Sequence, residues 1–219
     1  LFCTETNLVP EVTYQDGAII VLDIPIQEYH DVGRIAQGIF KFLFQRAILR
    51  RDANQYPRPV FLWADEAQNF VSSFDYQYQA VARSARACTA YLTQNINNYY
   101  SVLGSKSESD VNALLGNFQT KIFHANADIE TNRYASELIG DGYFEETSTT
   151  NTASGTFSAS QTVSGKLRRI VRPEDFARLK TGGPLNDFKT EGYMHLQGSV
   201  FKKGDSHKKI IFNQNFSHH

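Results

Sequence analysis

Short, nearly uninterrupted apolar runs that each stop on a polar residue constrain this chain more than any other feature. Residues 18–22 (Ala-Ile-Ile-Val-Leu) end at Asp23, residues 60–64 (Val-Phe-Leu-Trp-Ala) run into Asp65 and Glu66, and residues 88–93 end at Gln94. Runs of this length without polar alternation read as strands covered on both faces. Helical patterns lie between them. Val32, Ile35, Ile39, Leu43 and Ala47 recur at helical spacing across 29–51, and Arg46, Arg50 and Arg51 crowd the end where cations suit the helix dipole. A polar helical stretch reaches Arg86, residues 109–117 read as a helix and residues 120–124 as a fourth strand. Asp128 is placed to N-cap a further helix that Gly140 ends. This alternation predicts an α/β fold with a predominantly parallel sheet flanked by helices.

The pattern changes after residue 144. Residues 145–165 are rich in Ser, Thr, Gly and Ala and read as a mobile loop or weak hairpin that marks a boundary. Beyond it, residues 192–198 and 208–212 look like two strands joined by a turn at 202–205, a C-terminal β-hairpin. The expected organisation is thus a nucleotide-binding half over 1–144, the Ser/Thr-rich loop over 145–165 and an extension over 166–219.

Composition narrows the function classes. With 219 residues and a formal net charge of -1, the chain is long enough to bury one substantial core, with room for a small appendage, and has no global cationic excess, so any nucleic-acid contact is expected to be local. Cys3 and Cys88 fit neither a disulfide framework nor a metal-ligand spacing, and the cytoplasm is the natural compartment. No apolar run approaches the roughly 18–20 residues of a membrane-spanning helix. The six histidines are scattered without ligand spacing, and no structural metal is expected. The chain begins at Leu1 rather than Met and ends on His218-His219, so it is read as a fragment.

An acid pair at the tip of a buried strand has a known chemical use: the first carboxylate holds Mg²⁺, and the second polarises a water that attacks a terminal phosphate. Asp65 and Glu66 are placed for these roles, although strand ends also carry acids merely as solvated caps. Gln94 ends the next strand, and adjacent parallel strands deliver their tips to one crevice, so it is a candidate to sense the phosphate or position the water. Arg83, with Arg86 as second choice, sits near the end of the intervening helix. There it reads either as an arginine finger or as a cation on the helix dipole.

Taken in order, WADEAQNF at 63–70, ARSARACTAYLTQN at 82–95, LLGNFQTKIFHANADIETNRYASELIG at 114–140 and RRIVRPEDF at 168–176 resemble the type IV coupling proteins of conjugation and type IV secretion, the TraG/TraD-like class. The resemblance covers roughly residues 18–176. It implies part of a RecA-like, P-loop ATPase that forms a homo-hexamer on the cytoplasmic face of a bacterial inner membrane. ATP and Mg²⁺ are its cofactors; DNA, a relaxase or effector protein and the secretion-channel components are its partners. The membrane is reached only through an N-terminal anchor outside this chain. By position, Asp65 becomes the Mg²⁺ and nucleotide ligand, Glu66 the catalytic base, Arg83 the finger and Gln94 the sensor. An FtsK/HerA-like DNA pump, a secretion-assembly ATPase and a non-catalytic adaptor on the same fold are the alternatives.

One family element is missing. No G-x-x-x-x-G-K-[ST] loop occurs; the nearest stretch, Ser164-Gly165-Lys166-Leu167, has Ser160 at the first glycine position and Leu167 at the hydroxyl position. This chain alone is therefore not expected to hydrolyse ATP, and without the loop-bearing strand two apolar strand edges are expected to lack partners. Residues 95–100 (Asn-Ile-Asn-Asn-Tyr-Tyr) read as a helix start packing its rings rather than as a base-stacking platform. The run Lys166, Arg168, Arg169 and Arg172 is the best candidate for a DNA-phosphate or acidic-partner contact, or else a solvated face.

Overall fold

The computed structural model describes residues 8–103, 108–154, 156–198, 200–201 and 205–215, with the backbone alone at 26, 108, 148–154 and 156–162. The chain divides into two compact units, Leu1–Phe118 and Gln119–His219. The division falls before the boundary expected at 144/145, which lies inside a strand.

In the first unit, α1 (Val12–Gln15) and α2 (Ile26–Arg50, broken at His30 by φ 47°) precede β1 (Val60–Ala64). Then come α3 (Ser73–Ala82), β2 (Ala87–Tyr91), α4 (Asn97–Leu103) and α5 (Glu108–Asn117). β1 and β2 pair in parallel from Val60 opposite Ala87 to Ala64 opposite Tyr91. Phe44 and Ile48 of α2 bury against Val60, Tyr78 and Ala82, while Ala64, Ala67, Tyr99, Val111 and Leu114 form a second cluster. Tyr99 is therefore a core residue, as the packing reading of 95–100 requires.

Two expectations fail here for one reason. β1 is not covered on both faces: Val60 and Ala64 are buried, but Phe61 and Trp63 are 60% and 73% exposed. Residues 17–25 form no ladder, and Ile19 and Val21 point largely into solvent. A continuous apolar run calls for cover on two faces and partners on two edges, and the described residues supply one face and one edge. A cleft of about 1240 Å³ lies between residues 17–25 and β1.

The second unit contains β3 (Thr120–His124), α6 (Ile129–Ile139), β4 (Asp141–Ser154), β5 (Thr156–Arg169), α7 (Pro173–Phe176), β6 (Lys189–Leu196) and β7 (His207–Asn213). The sequence places β3 and α6 correctly: Asp128 caps α6 by accepting from Thr131 N at 2.9 Å, and Gly140 ends it at φ 89°. The pairing of β3 is a correction. It joins β6 and β7 in an antiparallel sheet of order β3-β6-β7, so the described ladders are mixed rather than predominantly parallel.

The expected C-terminal hairpin is present as β6–β7, while the turn at 202–205 lies outside the described residues apart from Asp205. Of the two readings of the Ser/Thr-rich segment, the hairpin holds over the loop: β4 and β5 pair antiparallel from Asp141 opposite Arg169 to Ser154 opposite Thr156. Ser164 to Leu167 consequently lie in an extended strand, which cannot curl its N–H groups around a phosphate as a strand-to-helix loop does. Phe176 packs edge-on to Phe123 and Tyr193 over Ala135, Ile139 and Val171 at the centre of this unit.

Candidate functional site

The parallel ladder continues past both strand ends. Leu92 N donates to Ala64 O and Ala67 N to Leu92 O, each at 2.9 Å, which pins the tips of β1 and β2 together. Between these bonds the chain turns sharply: Glu66 adopts the left-handed conformation (φ 50°, ψ 45°), and a 3-10 turn follows at Ala67–Asn69. A non-glycine residue there costs about 1–3 kcal/mol, a strain that surrounding bonds must hold.

The tip gathers three of the expected site residues. Asp65 is exposed, and its Oδ1 accepts from Glu66 N at 3.0 Å. Glu66 Oε1 accepts from Gln94 Nε2 at 3.0 Å, and Oε2 accepts from Gln68 Nε2. Asp65, Glu66, Asn69 and Gln94 all border the cleft beside β1.

Arg83 is at the C-terminal cap of α3 in the same unit, and its guanidinium makes no hydrogen bond or ion pair among the described residues. Arg86 differs: its Nη1 donates to Pro57 O at 3.1 Å. Arg51 anchors the turn carrying both arginines by donating to Ala85 O at 2.5 Å and to Arg86 O at 3.2 Å.

Beneath the tip lies a polar network that the sequence reading missed. Asp75 is fully buried and accepts from Lys41 Nζ at 2.5 Å, Gln45 Nε2 at 2.8 Å, Tyr91 OH at 2.5 Å and Ser72 N at 2.7 Å. Lys41 Nζ also donates to Phe70 O at 2.6 Å. Burial pushes the Asp75 carboxyl up, but Lys41 and the hydrogen bonds outweigh it and hold the group below the usual range. The network ties α2, the segment after Glu66, α3 and β2 into one body. Two sequence signals pointed to it: Ser72 and Asp75 at capping-box spacing, and Lys41 with Gln45 on the otherwise apolar face bearing Phe44 and Ile48.

The cationic run belongs to the second unit. Lys166 and Arg168 both pair with Glu146, Arg169 with Asp141 and Arg172 with Glu174, and Arg168 also stacks over Phe144 at 4.5 Å. Each cation already has an acid beside it. Among the described residues no group of three or more His, Cys, Asp or Glu could hold a metal, and no helix is long and apolar enough to cross a membrane.

Residues 59–181 match the family model described as the TraM recognition site of TraD and TraG. The chain belongs to the TraG/TraD family of type IV coupling proteins. No curated protein sequence matches it. Among solved structures, the bacterial conjugative coupling protein TrwBdeltaN70 in its unbound monoclinic form superimposes with a TM-score of 0.63 at 17% identity, over 87% of this chain and 40% of that one. The sulphate-bound trigonal form gives 0.60 at 16% over 84% and 38%, and TrwB in complex with the non-hydrolysable ATP analogue ADPNP gives 0.57 at 16% over 84% and 37%. This family member thus has the α/β fold of TrwB and spans about 40% of that protein's length.

Proposed function

We propose that this chain is part of a RecA-like, ATP-hydrolysing subunit that drives DNA or protein cargo into a conjugative secretion channel. The observation that carries it is the strand tip itself: Asp65 and Glu66 side by side beyond β1, with the Gln94 amide from the neighbouring strand on Glu66. In this reading Glu66 takes the proton of the attacking water, and Gln94 aligns Glu66 and reads the terminal phosphate. Arg83, unpaired within its own subunit's described residues, stabilises charge on the phosphoryl group bound by a neighbouring subunit of a homo-hexamer.

Asp65 suits Mg²⁺. It offers a hard oxygen ligand with Oδ2 uncommitted among the described bonds, and Mg²⁺ is commonly held by one or two carboxylates together with nucleotide phosphates and waters. When bound, the ion would neutralise charge on the β- and γ-phosphates. The phosphate loop and the cover for Phe61, Trp63 and residues 17–25 are assigned to the rest of the protein, as is a membrane anchor that holds the motor at the cytoplasmic face of the inner membrane. The family description points to a TraM-type relaxosome protein as a partner. A phosphate contact by Lys166, Arg168, Arg169 and Arg172 would require these side chains to leave Glu146, Asp141 and Glu174.

DNA-stimulated ATPase activity of the intact protein, wild type against Glu66→Gln, tests this function. Turnover should fall by about 10²–10⁴-fold with nucleotide binding retained. Absence of activity in both would favour a non-catalytic adaptor.

A further inference from the structure

Glu66 is held from two sides, and the two sides are built differently. Gln94 is exposed, whereas Gln68 is buried, and both ends of its amide are engaged. Its Nε2 donates to Glu66 Oε2, and its Oε1 accepts from Thr93 Oγ1 at 2.8 Å.

A carboxamide can turn over at almost no steric cost, so its sense is set by its partners alone. Here Thr93 sets it. The threonine hydroxyl has two acceptors in reach, and Gln68 Oε1 at 2.8 Å is nearer than Asn95 O at 3.2 Å. With its oxygen taken, the amide must present N–H to Glu66. Turned over, it would set oxygen against carboxylate.

We propose that Gln68 is a positioning residue for Glu66, and that Thr93 locks the Gln68 amide in the sense that donates to the carboxylate. The inference rests on Glu66 acting on the attacking water. Glu66 has a strained backbone and a side chain with several rotors, and the Gln68 and Gln94 bonds hold both oxygens of this cleft-lining residue. Each oxygen retains lone-pair capacity for a water. Displacement of a reacting group by about 1 Å can cost on the order of 100-fold in rate.

The test is made in the intact protein with DNA present. Gln68→Ala should lower kcat by about 10- to 100-fold with the KM for ATP unchanged. It should lower kcat no further in a Glu66→Gln background, because a residue acting through Glu66 has nothing left to position. Thr93→Val, which keeps the shape and removes the hydroxyl, should lower kcat by about tenfold, and Thr93→Ser should restore it.

Equal losses from Gln68→Ala in both backgrounds, or equal kcat for Thr93→Val and Thr93→Ser, would overturn the proposal. The Thr93 pair carries the test should Gln68→Ala not fold. If Glu66→Gln alone leaves kcat intact, the proposed function falls and this inference with it. If Glu66→Gln abolishes turnover while Gln68→Ala leaves kcat unchanged, only the role of Gln68 falls.

Discussion

The tip of β1 and the base of the β4–β5 hairpin both concentrate charge, and they treat it in opposite ways. At the hairpin base each cation has an acid beside it across or along the ladder, so the charges cancel locally. At the strand tip Asp65 and Glu66 stand side by side with no cation on either among the described residues, held only by a backbone N–H and two amides. Amides orient a carboxylate without neutralising it. The first arrangement is finished within the chain, whereas the second leaves charge and lone pairs for something added from outside. Asp75, nine residues beyond Glu66, marks the structural extreme: buried, ion-paired and saturated with donors.

Variants can break or sharpen this contrast. The largest effect is expected for Arg83→Ala in the assembled protein: a loss of about 10³–10⁵ in kcat with ATP affinity largely kept, measured by steady-state hydrolysis and equilibrium nucleotide binding. Arg86→Ala, which removes only a bond to Pro57 O, should do far less. Next comes Asp75→Ala, which strands Lys41 in the core; denaturant melts should show a loss of about 3–5 kcal/mol. A buried acid that merely caps α3 would cost about 1 kcal/mol instead.

A smaller effect is expected at His195, which lies in register between Lys121 and His207 on adjacent strands. Burial, then Lys121, then His207 push its imidazole below the usual range. The unfolded chain therefore binds the proton more readily, and stability should be full above about pH 6.5 and decline as the pH falls below it. Melts at pH 8 and pH 5 should show this loss, under about 1 kcal/mol after screening, and His195→Leu should abolish it. The smallest effect belongs to the hairpin base. Removing Lys166 and Arg168 together with Glu146 deletes exposed pairs and should change stability by less than about 1 kcal/mol. A large loss of DNA-stimulated turnover in the Lys166→Ala, Arg168→Ala variant would instead show that these cations leave their acids for a phosphate backbone.

What the sequence revealed follows how local each cause is. The limits of β1 and β3 and both caps of α6 depend on a few neighbouring residues and were readable. The acid pair was readable because a buried strand stops on it. The partner of β3 was not, since its antiparallel pairing with β6 joins residues far apart in the chain. The β4–β5 ladder was readable only as one of two alternatives, a loop or a weak hairpin, because main-chain bonds hold it while its composition resembles a loop. Gln68 and Asp75 escaped because their meaning lies in partners on other elements, Thr93 and Lys41 above all. The apolar residues 18–22 announced a strand, but a strand needs a partner edge, and the described residues offer none.

The proposal that the nucleotide bound at the strand tip takes its arginine, Arg83, from a neighbouring subunit is tested most directly by mixing. Glu66→Gln and Arg83→Ala proteins, each inactive alone, are combined under assembly conditions and assayed for ATP hydrolysis. A shared site should recover a substantial part of the wild-type rate, because some interfaces then join an intact Glu66 to an intact Arg83. Mixed assemblies that form yet stay inactive would contradict it.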